Sequence, residues 1–319
     1  MKVRERVLAM ARSRDAAIGT AALLLVAALV VPRVELPRDT FTYMVTFDIT
    51  QSMQTEDVTS NGVPTSRLAF AKAAMRDALT RLPCGSKIGW SIFTGQATLP
   101  LLPPIEVCRN FDALLASLDG IDGRMRWTNW SRIAEGGVYS AVRVAHELGR
   151  GVEVVFITDG QEAPPILPSN SPEIGIAVPG VSGWLMGVGG DQPVPVPKSD
   201  AEGNRIGFWS ASEVVQVPPA LRASPTAESH EELSALQGEY LARVASRIGF
   251  AYRRLSSGDS LAQALQDVRF AHREPVPTDV RRIPAILALI LLVGRYVGSL
   301  RLRSWRPAAL ASGSRPETP

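Results

Sequence analysis

"VEVVFITDG", residues 152–160, reads as a strand whose apolar side chains run on without alternation and which stops at an acid, Asp159. A half-buried strand alternates. A continuous run of β-branched and aromatic residues is covered on both faces, as in a parallel sheet between two layers of helices. "FTYMVTFD" (41–48) has the same character and also ends on an acid, Asp48.

The segments around these two strands fill in the layers. "SRLAFAKAAMRDALTRLP" (66–83) predicts an amphipathic helix with Leu68, Ala71, Met75, Leu79 and Leu82 on one face, stopped by Pro83. "KIGWSIFT" (87–94) and "QATLPLL" (96–102) read as a hairpin. "NFDALLASLDG" (110–120) predicts a helix capped by Asn110. "SRIAEGGVYSAVRVAHELGRG" (131–151) predicts another, with Ile133, Val138, Ala141, Val142, Ala145 and Leu148 inward. "GWLMGVGG" (183–190) and "FAYRRL" (250–255) are strands, and "SGDSLAQALQDV" (257–268) is a last helix. In "SHEELSALQGEYLARVASRIG" (229–249), Ser229 and Glu232 have capping-box spacing, and Gly238 is a possible break. Residues 191–228, rich in Pro and Ser, read as an irregular surface excursion. Strands alternating with helices predict an α/β domain over 38–272, doubly wound, with a mostly parallel sheet and helices on both faces.

Charge is divided along the 319 residues. Of a net +3, residues 1–15 supply +3 and residues 295–319 supply +4, which leaves −4 for the body. A mildly acidic body argues against nucleic acid as a partner. The basic ends flank apolar stretches. Residues 16–32 carry no charge and approach the length of a transmembrane helix; a cleaved signal peptide is the alternative. Residues 283–300 are a second candidate transmembrane helix, with Arg295 reaching toward the headgroups and a buried or interfacial helix as the alternative. Arginines beyond both stretches place residues 1–15 and 301–319 in the cytoplasm, and the domain in the periplasm of a bacterial inner membrane. Cys84 precedes the first hairpin strand and Cys108 follows the second, so both lie at one end of the sheet and a disulfide is geometrically possible.

In an open α/β sheet, ligands sit beyond the carboxyl ends of the strands. If the strands ending in Asp48 and Asp159 are neighbours, both acids face one crevice. Thr50 and Ser52 follow Asp48 at alternate positions. Two carboxylates with hydroxyl oxygens suit a hard divalent cation, Mg²⁺ above all, with Mn²⁺ or Ca²⁺ also possible. Neutral hydroxyl ligands leave the ion electrophilic, with a position that a partner's carboxylate can fill.

These residues carry a resemblance. "DITQS" (48–52) looks like the D-x-S-x-S motif of von Willebrand factor A (VWA) domains, with Thr50 in place of the first serine, and Asp159 in "ITDG" matches that family's later aspartate. The resemblance implies a metal-ion-dependent adhesion site, completed by a threonine at the start of a central helix. In "WTNWSRIAEGG" (127–137), Thr128 offers the familiar "TN", whereas Ser131 sets Ile133 and Gly136 where the helix pattern wants them; both stay candidates. "GNRIGFW" (203–209), "EYLARVASRIGFAYRRL" (239–255) and "LAQALQDV" (261–268) resemble the membrane-anchored bacterial branch that accompanies MoxR-type ATPases. "TFDITQSM", "LPCGSKIGW" and "IEVCRNFDALL" look closest to MxaL-like members of methanol-oxidation systems. The resemblance implies a non-enzymatic protein-binding module that helps assemble or mature a periplasmic enzyme such as methanol dehydrogenase.

Two rival readings remain. A Mg²⁺-dependent phosphohydrolase could use Asp48 as nucleophile, but such enzymes need a second acid where Thr50 stands and a lysine near the phosphate. A structural membrane linker with an inactive metal site is the other. His146, His230 and His272 have no zinc-site spacing, and neither a P-loop nor a G-x-S-x-G elbow occurs. Trp127, Trp130 and Trp209 are candidate contact anchors at a partner surface.

Overall fold

The structure is a computed structural model that describes residues 2–32, 34–60, 62–166, 179–222 and 228–303. It divides into Pro37–Glu274, and Met1–Leu36 together with Pro275–Pro319. The principal strands are β1 (Thr42–Asp48), β2 (Lys87–Phe93), β3 (Thr98–Glu106), β4 (Glu153–Thr158), β5 (Gly183–Gly187) and β6 (Ala251–Arg254). The α-helices are α1 (Lys2–Val30), α2 (Arg67–Leu79), α3 (Phe111–Asp119), α4 (Tyr139–Leu148), α5 (Gly238–Ile248), α6 (Gly258–Leu265) and α7 (Arg282–Arg303).

The strands form one mixed, largely parallel sheet in the order β6-β5-β4-β1-β2-β3. Only β3 runs antiparallel to its neighbour; the other pairs are parallel. Helices α2, α3 and α6 cover one face, where Leu68, Met75, Leu114, Leu118 and Leu261 meet Phe47, Trp90 and Ile157. Helices α4 and α5 cover the other, where Ala141, Val142, Leu241 and Val244 meet Met44, Phe93 and Phe156. Successive residues of β1 and β4 therefore enter opposite cores, which is why both strands are apolar throughout. The chain leaves β1 for β2 on one side and later returns through α4 to β4 on the other. The strand order reverses at β1, and a crevice opens there.

Several local expectations change. The predicted helix over 131–151 starts with a wide turn over Ile133–Val138, in which Gly137 N–H donates to Arg132 O at 2.9 Å. A Cβ on Gly136 would lie 2.2 Å from Gln96 O, so only glycine allows this close approach to the hairpin. The helix predicted from Ser229 begins instead at Gly238. Ser229 Oγ does not cap; it accepts the N–H of Val217 at 3.0 Å, a tertiary contact that overrides the capping-box spacing. Asn110 precedes α3 without capping it, and its side chain donates to Glu106 O. Part of the 191–228 excursion is ordered. Pro197–Ser199 pairs with Arg205–Phe208, and Val194–Pro195 pairs with Leu233–Ser234. Cys84 and Cys108 form a disulfide, with 5.3 Å between alpha carbons, at the amino end of β2.

The smaller unit consists mainly of α1 packed along α7. Both apolar stretches are helical, but among the described residues no helix is long and apolar enough to cross a membrane. The uncharged run Ala16–Val30 spans about 22 Å and Ile283–Gly294 about 18 Å, against a hydrocarbon core of about 30 Å. The expectation of two complete spans is therefore not met within the described residues. Leu23, Val26, Leu29, Ile286 and Ile290 are exposed along the pair. Residues 304–319 of the expected cytoplasmic tail lie outside the described residues.

Candidate metal centre

Strands β1 and β4 are direct neighbours, with Phe47 opposite Ile157, so Asp48 and Asp159 reach the same end of the sheet. Both are 0% exposed. Asp48 Oδ1 accepts the N–H of Thr50 at 2.8 Å and the Thr50 hydroxyl at 2.7 Å. Asp48 Oδ2 accepts the hydroxyl of Thr158 at 2.6 Å. Burial, and after it the charge of Asp159, push Asp48 up to about 7 against these hydrogen bonds. A nearby cation would reverse that push.

Asp159 is held from behind. Its Oδ2 accepts Arg67 Nη1 at 2.6 Å and its Oδ1 the N–H of Gln161 at 2.9 Å. Arg67 is itself fully buried and grips Asp57 with two bonds, of 2.9 and 2.6 Å. Hydrogen bonds and charge from Arg67 hold Asp57 below the ordinary carboxylate value, although burial acts the other way.

Three hydroxyl-bearing residues, Thr50, Ser52 and Ser131, line a cleft of about 270 Å³ near Asp48. Thr50 spends its proton on Asp48, which leaves its lone pairs available. Thr50 Oγ1 and Ser52 Oγ lie 3.3 Å apart. Adjacent oxygens of an octahedron with bonds of about 2.1 Å are separated by about 3.0 Å, so the pair fits two neighbouring ligands of Mg²⁺. Ser131 is 3% exposed, and its Oγ has no hydrogen-bond partner. Its backbone is fixed by reciprocal bonds with Ala163 at 2.8 and 3.0 Å. Thr128 is placed differently: its hydroxyl accepts the N–H of Trp130 at 3.1 Å, and it does not line the cleft. The buried, unpartnered oxygen and the all-oxygen donor set fit a hard cation at Asp48, Thr50, Ser52 and Ser131, with Asp159 behind them. Elsewhere among the described residues, the cluster Cys84, Glu106 and Cys108 could group ligand atoms, but its two sulfurs are bonded to each other.

The excursion forms one wall of this cleft. Val196, Trp209, Val214 and Val215 line it, and Trp209 Nε1 donates to Gln51 Oε1. Trp130 lines the cleft as well, whereas Trp127 is exposed outside it. Glu162 also lines the cleft and accepts the N–H of Ile133 at 3.0 Å and the Tyr240 hydroxyl at 2.6 Å. Burial raises the Glu162 carboxyl.

The sequence reading missed Arg67, Asp57, Thr158 and Glu162. For Arg67 a signal existed. It occupies the first position of α2, after the Ser66 cap, where a cation opposes the helix dipole and so needs another reason to be there.

No family model and no curated protein matches the chain. Among solved structures it is similar to BatB from Bacteroides thetaiotaomicron at 19% identity and a TM-score of 0.48, covering 70% of this chain and 96% of that one. It is similar to an aerotolerance-related membrane protein from Bacteroides fragilis at 20% identity and a TM-score of 0.45, with coverage of 70% and 96%. A von Willebrand factor type A protein from Catenulispora acidiphila follows at 11% identity and a TM-score of 0.43, with coverage of 80% and 46%.

Proposed function

We propose that the chain is a non-enzymatic protein-binding module that holds a divalent cation, most simply Mg²⁺, and uses it to engage a carboxylate of a protein partner. The observation that carries this reading is the Ser131 hydroxyl, buried and unpartnered on the same cleft as Thr50 and Ser52. Asp48, Thr50, Ser52 and Ser131 would hold the ion, with Asp159 behind. When bound, the ion supplies a positive, open coordination position for the partner's acid. Binding is favoured over turnover by Asp48 itself. It is buried, and both its oxygens accept hydrogen bonds from threonines, which suits a fixed ion ligand better than a nucleophile. No lysine lines the cleft among the described residues.

The exposed apolar side chains of α1 and α7 support attachment of the module to a membrane. The Cys84–Cys108 disulfide supports a periplasmic position for the sheet domain. The resemblance to MxaL-like sequences supports the finer reading. There the partner is a periplasmic enzyme under assembly, such as methanol dehydrogenase, served by a MoxR-type ATPase.

Calorimetric titration of the full chain in detergent micelles with Mg²⁺ and Mn²⁺ tests the reading. One saturable site is expected. Ser131→Ala should weaken it by at least about tenfold, while the melting temperature stays nearly unchanged because the lost hydroxyl had no partner. Absence of saturable binding in the unmutated chain would sink the proposal.

A further inference from the structure

We propose that Arg67 is a positioning residue that assembles the rim of the crevice in place of an ion, so that a divalent cation completes the site without building it. The ion in this statement rests on the metal reading above; the assembly rests on the contacts of Arg67 alone.

The guanidinium joins segments far apart in the chain. Nε and Nη2 hold Asp57, in the loop after β1. Nη1 holds Asp159, after β4, and donates to the Ser234 hydroxyl at 2.7 Å. Nη2 also reaches Ser234 O at 3.2 Å, just before α5. Asp57 Oδ2 accepts the N–H of Gly190 at 2.8 Å, which brings in the loop after β5. That loop can approach only because Gly189 has no side chain. Its φ is +136°, and a Cβ there would lie 2.8 Å from Arg67 Nε. One side chain, 0% exposed, thus fixes every loop that supplies an acid to the rim.

The charges explain why a fixed cation is needed. Asp57 and Asp159 are paired with one guanidinium, and the third carboxylate, Asp48, lies beside Asp159 at the end of the neighbouring strand. With Arg67 the formal sum is −2, which one divalent ion balances. Without Arg67 it is −3, and the acids would drive the loops apart unless an ion were present. Arginine suits the task because it stays charged at any working pH and forks onto two carboxylates at once. Its position at the start of α2, against the helix dipole, is offset by these contacts.

Hydrogen–deuterium exchange of the full chain in micelles, in Mg²⁺ and in excess EDTA, tests the proposal. The amides to follow are Thr50, Gly160, Gln161 and Gly190, held respectively by Asp48, Thr158, Asp159 and Asp57. In the unmutated chain their rates should agree within about twofold between the two buffers. In Arg67→Met they should be at least about tenfold faster in EDTA than in Mg²⁺, with α3 and β3 unchanged, and Arg67→Lys should fall between. If Arg67→Met does not fold, Asp57→Asn, which loosens the fork but keeps the pair with Asp159, should show the same ion dependence at smaller size. The proposal is overturned if EDTA alone frees the rim of the unmutated chain, or if these variants exchange like it. Mn²⁺ binding followed by electron paramagnetic resonance on the same samples separates the two readings. If no Mn²⁺ binds, the metal reading falls. Arg67 then stands or falls on whether its loss loosens the rim in both buffers.

Discussion

At the carboxyl ends of β1 and β4, Asp48, Asp159 and Arg67 are buried, and with Asp57 they form a dense set of hydrogen bonds, while Ser131 Oγ and Glu162 Oε2 beside the cleft make none. At the amino ends of the same sheet, order comes from the Cys84–Cys108 disulfide and from Glu153, paired with His272 at 3.0 Å. An orphaned atom is not by itself a sign of function: Tyr43 Oη and Glu153 Oε2 also lack partners, but they line no part of the cleft. The difference lies in the adjoining cleft. The rim combines satisfied charges and unsatisfied buried oxygens on residues that line a cleft, whereas Tyr43 and Glu153 do not line it. Function is therefore read from the coincidence of the three, and the base serves as an internal control.

The largest effect expected at the base is loss of the disulfide. Cys84→Ser with Cys108→Ser frees a loop of sequence separation 24 and should cost about 3 kcal/mol, read from urea unfolding. Metal affinity should stay within about twofold, since the folded rim does not touch these residues. A large fall in affinity would break the separation of the two ends.

Gly136→Ala probes the rim at a smaller cost. The added Cβ meets Gln96 O at 2.2 Å, and relieving it should cost about 1–3 kcal/mol. The wide turn that would move begins two residues after Ser131. Metal affinity should therefore fall more than the stability loss alone would produce. An unchanged affinity in calorimetry would show that the turn does not set the Ser131 hydroxyl.

What could be read from the sequence follows the same division. Apolar runs ending in Asp48 and Asp159 were legible because burial on both faces leaves a compositional mark, and the hairpin placed the two cysteines. Arg67 was hidden because its partners, Asp159 and Ser234, lie 92 and 167 residues away and nothing local announces them. Residues 229–237 misled because a cap spacing is local, while Ser229 is committed to Val217 across the fold. The excursion looked like surface by composition, yet Val196 and Trp209 are apolar contributions to the cleft wall. Short-range patterns specify elements; rim and wall are assembled by long-range contacts.

The smallest effect is one of sign, and it separates the two ends most sharply. Asp57 titrates below its ordinary 3.8, despite its burial, because Arg67 holds it charged. Its folded form binds a proton more weakly than its unfolded form. Its stabilisation is thus full above about 3.8 and is lost as pH falls through the lower folded value. Glu153 titrates above its ordinary 4.5 because burial outweighs the help of His272. Its contribution is present below 4.5 and is lost as pH rises through the folded value. Urea midpoints for Asp57→Asn and Glu153→Gln should therefore diverge from the unmutated chain in opposite directions. The deficit of Asp57→Asn closes under acid, and Glu153→Gln gains relative stability as pH rises past 4.5. Two curves drifting the same way would mean that Arg67 does not govern the rim, because Asp57 would then be responding to burial alone, as Glu153 does.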